Sequence, residues 1–540
     1  MSLALRVLIL YAIVAQGAFF ITPLIVMCVF LLVAVMLTKN DLVLDINALA
    51  LFGLVLVVII AAFFSLSADE AINEIVKYMI FPLSYLFFLN ADDVMRTKAD
   101  ESFFYAFILL MVFGLLGIAG ISPIPNMVTP IGGRLQSFFQ YANTTALAMG
   151  IGVFYSTEKA RNNKRPIVVI YILVALMFFM ALVFTLSRMS FVLFILIYGI
   201  YVFRIIFPSI SWKIKALLIV GIMVTGGILL HIDSRIVRIS IFAPTLVERY
   251  ISYYDALRML LRHPLGIGLG NWQFMHLYYQ SAPYQVRFIH NFYLHVALNG
   301  GFLAMGLILA LFVTNFVQAK VHDMHFFVGL FIAISAIFEV HFNFGIIIIY
   351  FMFLLVRQAQ VTTFVVAKKR TRYTKYTLVL PIILLGILFT SNYYINLGRN
   401  IEQSQECHNK AYQAYLRAHR INPLSDRLYF HRALVTATPD AMLSLLYQGH
   451  RANPWDKDVL FYLAEVHLHK GNFEAAYKYA DQLLTLFRFS TRNQELVRRI
   501  IYGFDEPLQT DRVMQLENRI VEIDSEINRL YRHIEPNMAY

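Results

Sequence analysis

Thirteen stretches of this chain are apolar for long enough to cross a bilayer, alone or with tilt and flanking help. They lie near 3–20, 21–38, 46–66, 74–90, 102–121, 141–157, 166–186, 189–207, 213–231, 291–317, 325–338, 341–356 and 376–393. Hydrocarbon offers no partner to backbone N–H and C=O groups, so unbroken apolar runs of this length fold as helices. The expected fold class is all-α, a polytopic membrane protein of about 13 transmembrane helices. At Pro23 and Asn343 two helices or one broken helix would read alike. With 59% hydrophobic and 14% charged residues, an ordinary soluble domain is excluded. Arg6 precedes the first apolar run and no small-residue cleavage site stands out, so that run reads as a first membrane helix.

The net charge of +12 is gathered between apolar runs, which points to topology and not to nucleic acid. Lys159, Arg161, Lys164 and Arg165 fill one connection, Arg204, Lys213 and Lys215 another, and Lys368, Lys369, Arg370, Arg372 and Lys375 a third. Placing these inside also puts Arg96, Lys98, Lys320 and the N-terminus inside. Arg134, Arg188, the loop 232–290 and everything after 393 then fall outside. Cys28 and Cys407 form neither a disulfide framework nor a thiolate cluster.

The chain divides at 393. Residues 1–393 are the transmembrane domain, and 394–540 have the composition of a soluble helical domain. Ile421-Asn-Pro423 and Ala452-Asn-Pro454 recur 31 residues apart, each before a helical pattern, and Gly471 sits between two amphipathic stretches; this resembles a tetratricopeptide unit. Val513, Leu516, Ile520, Ile523, Ile527 and Leu530 form a heptad stripe, suited to a helix capping the repeats or to a coiled-coil dimer.

Polar chemistry gathers on the outer side. Arg134, in Gly132-Gly-Arg-Leu-Gln-Ser137, and Arg188, in Thr185-Leu-Ser-Arg-Met189, have no acid within four residues. An arginine so placed either snorkels to lipid phosphate or holds a bound anion. Leu246, Val247, Tyr250, Ile251, Tyr254, Leu257 and Leu261 predict an amphipathic helix along the outer surface. Within it Asp255 can pair with Arg258 as a solvated pair, while Arg249 has no acid three or four residues away and is the better candidate to grip a ligand. The following His263-Pro-Leu-Gly-Ile-Gly-Leu-Gly-Asn-Trp272 reads as a helix stop and turn before it reads as a phosphate cradle. His290, in Arg287-Phe-Ile-His-Asn-Phe-Tyr-Leu-His295, stands where the chain re-enters the bilayer. It suits either a structural helix start, with Asn291 helping to cap, or a general base acting on a hydroxyl near neutral pH. The spacings among His263, His276, His290 and His295 match no compact ligand motif, so no metal is expected.

These motifs together resemble the bacterial O-antigen ligase, O-antigen polymerase and O-oligosaccharyltransferase superfamily over roughly 40–356. The residues concerned are Arg134-Leu-Gln-Ser-Phe-Phe-Gln-Tyr-Ala-Asn143, Ser187-Arg188, Arg249 ahead of Asp255-Ala-Leu with His263-Pro-Leu-Gly-Ile-Gly, and His290-Asn291 followed by Leu294 and Gly300-Gly301. The resemblance implies a GT-C-type fold in the bacterial cytoplasmic membrane. It also implies metal-independent, cofactor-free transfer of a glycan from a polyprenyl-pyrophosphate donor to a glycan, lipid or protein acceptor. It makes His290 the base, assigns Arg188, Arg249 and Arg134 to the donor pyrophosphate, and gives Asn291, Asn143 and Gln140 positioning roles. Direct attack on the anomeric carbon would invert it. Where relatives often carry an Asp-Phe pair, this chain departs from the pattern with His341-Phe-Asn-Phe344 and Glu339 nearby.

A second function class is a transporter of a lipid-linked glycan or another anion, which should place charges at the midplane and show repeated halves with broken helices. A third is a sensor or scaffold acting through a protein partner on 394–540, which needs no outer arginines. Within the transferase class, ligase, polymerase and protein O-oligosaccharyltransferase share one chemistry and differ in acceptor.

Overall fold

The computed structural model describes residues 2–37, 42–206, 211, 244–284, 286–319, 323–358, 363–365, 376–404, 407–502, 514–523 and 525. It is mostly helical; the one ladder among the described residues pairs Val43 with Val365 and Leu44 with Phe364. The expected run at 213–231 and the loop at 232–243 lie outside the described residues, as do Val513, Ile527 and Leu530.

Helices α1 (Ser2–Val14), α2 (Ile21–Met36), α3 (Ile46–Ala62), α4 (Ala68–Leu89), α5 (Asp93–Ile118), α6 (Ala142–Arg161), α7 (Ile167–Phe184) and α8 (Arg188–Tyr201) come first. They are followed by α9 (Pro244–Arg262), α10 (Trp272–Tyr279), α11 (Phe292–Gln318), α12 (Met324–Ser335), α13 (Gly345–Gln358) and α14 (Val379–Gln403). Six of these, namely α4, α5, α7, α11, α14 and α8 with its continuation to Ile206, are long and apolar enough to cross a membrane. Five shorter apolar helices, α1, α2, α3, α12 and α13, pack among them.

The expected run at 74–90 begins earlier, because Ser67 caps α4 through the Glu70 N–H and places Asp69 and Glu70 in its first turn. Nearly every residue of α13 is buried, so it forms the centre of the bundle, whereas α7 and α14 leave most of their apolar surface exposed, as lipid-facing helices do.

Helix α11 is kinked at Gly300 and Gly301 (φ −128° and +74°). The turn after α9 fills the kink: Ile267 N–H bonds Leu298 O at 2.7 Å and Phe302 N–H bonds Pro264 O at 3.0 Å. A Cβ on Gly301 would stand 2.5 Å from the Leu265 carbonyl carbon, and one on Gly266 2.7 Å from the Gly301 nitrogen. The glycine-rich stretch is thus a close backbone packing between two segments.

The tail runs through α15 (His408–Ile421), α16 (Arg427–Leu434), α17 (Pro439–Ala452), α18 (Lys457–His469), α19 (Phe473–Leu486) and α20 (Thr491–Tyr502), each packed on the next. Asn422 and Asn453 end α15 and α17 alike, with extended backbone and N–H bonds to Ala418 O and Gly449 O. Leu516, Ile520 and Ile523 pack into the tail's own core, which favours the capping helix over a coiled-coil dimer.

The tail docks on the bundle near the start of α4. Asp426 accepts from Ser67 Oγ (2.9 Å) and the Asp69 N–H (3.0 Å), while Asp69 accepts from Ser425 Oγ (2.7 Å) and the Arg427 N–H (3.1 Å). Arg427 also pairs with Glu70.

Candidate functional site

Four separated segments meet around the Glu339 carboxylate, in the turn between α12 and a 3-10 turn at His341–Asn343. Its Oε1 accepts from Arg249 Nη2 at 2.5 Å and from Asn143 Nδ2 at 2.6 Å. Its Oε2 accepts from Tyr141 OH at 2.5 Å and lies 3.4 Å from Nδ1 of His290. Burial would raise this carboxyl, but the hydrogen bond from His290 and the charge of Arg249 outweigh it and hold the pKa at about 2. Glu339 is therefore an anion at every physiological pH.

His290 is positioned by its backbone. Asn291 caps α11 by accepting from the Leu294 N–H at 3.0 Å, and the Phe292 N–H bonds Ala336 O at 2.9 Å, which ties the start of α11 to the end of α12. Tyr253, on α9, donates to the His290 carbonyl and to Ile337 O. Asn291 thus acts on the site by fixing where His290 stands. With Nδ1 turned to Glu339, Nε2 is the ring nitrogen directed away from the carboxylate, and a proton on Nδ1 leaves Nε2 basic.

The arginines converge here too. Arg249 has no acid three or four residues away on its own helix, but Glu339, ninety residues away, neutralises it, and Nη1 also donates to Phe338 O at 3.1 Å. The pull of Glu339 exceeds the effect of burial and raises the Arg249 pKa. Arg134 Nε donates to Thr185 O at 2.9 Å and Nη2 to Asn143 Oδ1 at 2.6 Å, so Asn143 links Arg134 to Glu339. Burial, together with the charges of Arg249 and Arg188, lowers the Arg134 pKa despite Tyr141 and Glu339. Arg188 opens α8 three residues after Thr185. A cleft of about 500 Å³ opens on this cluster, lined among others by Gln140, Tyr141, Glu248, Phe288 and His290. Gln140 holds a left-handed backbone (φ +50°) that ends the turn before α6. Arg249 and Arg134 stand by the Glu339 carboxylate and its Asn143 partner, and the charge of Arg188 is felt at Arg134, so cationic groups suited to an anion lie beside an imidazole.

Other expectations are corrected. Asp255 is fully buried and accepts from the Ser281 N–H (2.9 Å) and Tyr284 OH (3.1 Å), with Arg258 at 3.8 Å, so it anchors the loop and is no solvated pair. Tyr250, Tyr254, Leu257 and Leu261 face away from the protein, and α9 packs inward through Ser252, Asp255, Ala256 and Met259. His263, His276 and His295 bond to Tyr279, to Trp272 O and to Glu74 respectively, away from His290. Among the described residues no cluster of His, Cys, Asp or Glu has metal-binding geometry.

The apolar helices point to a multi-pass membrane protein, and its cleft carries an imidazole beside a cluster that includes Arg249 and Arg134. A family model described as O-antigen ligase matches residues 172–310, a segment that carries Arg188, Arg249 and His290 and excludes Arg134 and Glu339. No curated protein matches the chain. The family match supports the O-antigen ligase superfamily and, in general terms, a glycosyl-transferring role of the ligase or polymerase type.

Proposed function

We propose that this protein transfers a glycan from a polyprenyl-pyrophosphate donor to an acceptor hydroxyl on the outer face of a bacterial cytoplasmic membrane. The observation that carries the reading is the convergence of His290, Arg249 and Arg134 on Glu339 from segments up to about two hundred residues apart. His290 Nε2 takes the acceptor hydroxyl proton as the oxygen attacks the anomeric carbon. The bond from that carbon to the phosphate oxygen breaks, and its electron pair leaves with the pyrophosphate, whose charge Arg134, Arg188 and Arg249 meet. One displacement inverts the anomeric centre and calls for no metal or cofactor. The N-terminus is then cytoplasmic and the tail, tetratricopeptide-like in its repeated Asn-Pro turns, extracytoplasmic. The helical core suits a GT-C-type fold.

The test supplies purified protein with a polyprenyl-pyrophosphate glycan and glycan, lipid or protein acceptors. Transfer is expected with wild type and lost with His290→Ala; undiminished transfer by that variant defeats the assignment. Chelator should leave the rate unchanged.

A further inference from the structure

A second cavity, of about 410 Å³, lies between α4, α14 and the first tail helices, and shares Phe19, Phe20, Arg287 and Phe288 with the cleft at His290. We propose that it is a saccharide-binding subsite and that its occupant is the acceptor glycan, an assignment that rests on the transferase reading above.

Three features point to a hydroxyl-rich ligand. First, most of its cations sit beside carboxylates: Lys77 pairs with Glu74 at 2.5 Å, Arg287 with Glu70 at 3.6 Å and Arg427 also with Glu70, while Arg399 contacts His431. Apart from Arg399, each of these cations therefore has a carboxylate beside it, which weakens its pull on an external anion. Second, α14 is apolar enough to span a membrane, yet turns Ser391, Asn392, Asn396 and Arg399 toward this space. At and beyond the end of the apolar run, these groups give the cavity wall hydrogen-bonding capacity. Asn73 and Asn396 make no side-chain hydrogen bond among the described residues and are available to sugar hydroxyls. Third, Phe19 and Phe288 meet edge to face at 5.9 Å, giving the shared wall an aromatic surface for the C–H face of a sugar ring.

Geometry selects acceptor over donor. None of Arg134, Arg188 and Arg249 lines this cavity, which adjoins the cleft at His290 through Arg287 and Phe288. An acceptor held here lies next to the proposed base and apart from the arginines assigned to the leaving group.

The test uses the full chain in nanodiscs and two probes: the lipid-free oligosaccharide released by mild acid from the same cells' polyprenyl-pyrophosphate pool, and inorganic pyrophosphate. Binding of each is followed by NMR. Asn73→Ala with Asn396→Ala should weaken oligosaccharide binding about tenfold, the worth of one or two hydrogen bonds, and leave pyrophosphate binding intact. Arg249→Ala should do the reverse. In transfer assays the double variant should raise the acceptor KM and keep kcat. Oligosaccharide binding that is absent in wild type, or equal in wild type and the double variant, overturns the subsite. Transfer surviving in His290→Ala overturns the catalytic reading alone. Both amides are surface-accessible groups, and wild-type thermal unfolding of the double variant verifies its fold.

Discussion

Oε2 of Glu339 stands 3.4 Å from Nδ1 of His290, while Oε1 of the same carboxylate holds Arg249 at 2.5 Å. One anion thus sets the tautomer of the proposed base and the orientation of a proposed pyrophosphate ligand. Glu339→Gln keeps the shape and removes the charge, so kcat is expected to fall on the order of 10²-fold or more, with a smaller change in acceptor KM. Steady-state transfer kinetics check this. A variant within about twofold of wild type would mean that Glu339 is a packing group only.

The same carboxyl makes stability depend on pH in a fixed direction. Its folded pKa of about 2 lies below the unfolded value of about 4.3, so its contribution is complete above the unfolded value and is lost as pH falls through the folded one. Thermal unfolding in detergent should show wild type above Glu339→Gln by a constant margin from about pH 5 upward, closing toward pH 2. A margin as large near pH 2 as at pH 7 contradicts the assignment.

Arg134 reaches Thr185 O and Asn143 Oδ1 with two different guanidinium nitrogens. Lysine keeps the charge but cannot span both partners. Arg134→Lys is expected to raise the donor KM roughly tenfold, with loss of acceptor affinity small by comparison. Initial rates at varied donor concentration separate the two. An unchanged donor KM removes Arg134 from the donor site.

The amino-acid sequence alone makes the helices and part of the site legible. The apolar runs on described residues are helices because their backbones must bond internally; Arg188 and His290 stand out as polar groups at the ends of such runs, and Arg249 as a cation with no acid three or four residues away. Glu339 is visible there too, as the only acid between Asp323 and Glu402, but without a role. Which groups it meets depends on how α6, α9 and α12 pack, and no local spacing encodes that. The same limit applies to Arg249, whose partner lies ninety residues away, and to Asp255, whose burial follows from a loop folding back over it. Spacing rules see only neighbours three or four residues distant.

Gly301 has a left-handed backbone, and a Cβ there would stand 2.5 Å from the Leu265 carbonyl carbon and 2.6 Å from Pro264 O, both main-chain atoms that cannot step aside. Gly301→Ala should therefore cost at least about 1–3 kcal/mol and lower the thermal midpoint. Because the kink also sets the course of α11 below His290, activity should fall in the fraction that still folds. Gly306→Ala, further along the same helix with open space at its Cβ, is the control and should unfold like wild type.

The tail contact supplies a pH dependence of opposite sign. Burial, reinforced by the charge of Asp69, raises the Asp426 pKa to about 6, above an unfolded value of about 3.9. Its contribution to docking is therefore present below the unfolded value and is lost as pH rises through about 6. Arg427, Arg287 and Glu70 complete the charged surroundings and include two permanent cations, so the contact should weaken across that range without dissolving. Hydrogen exchange at the Asp69 and Arg427 amides, which both donate into this contact, should show less protection at pH 7.5 than at pH 5 after correction for intrinsic rates. Asp426→Asn retains an oxygen for Ser67 and the Asp69 N–H but carries no charge, so its protection should be the same at both values. Equal protection in wild type at pH 5 and 7.5 would show that Asp426 does not govern how firmly the tail sits beside the acceptor cavity.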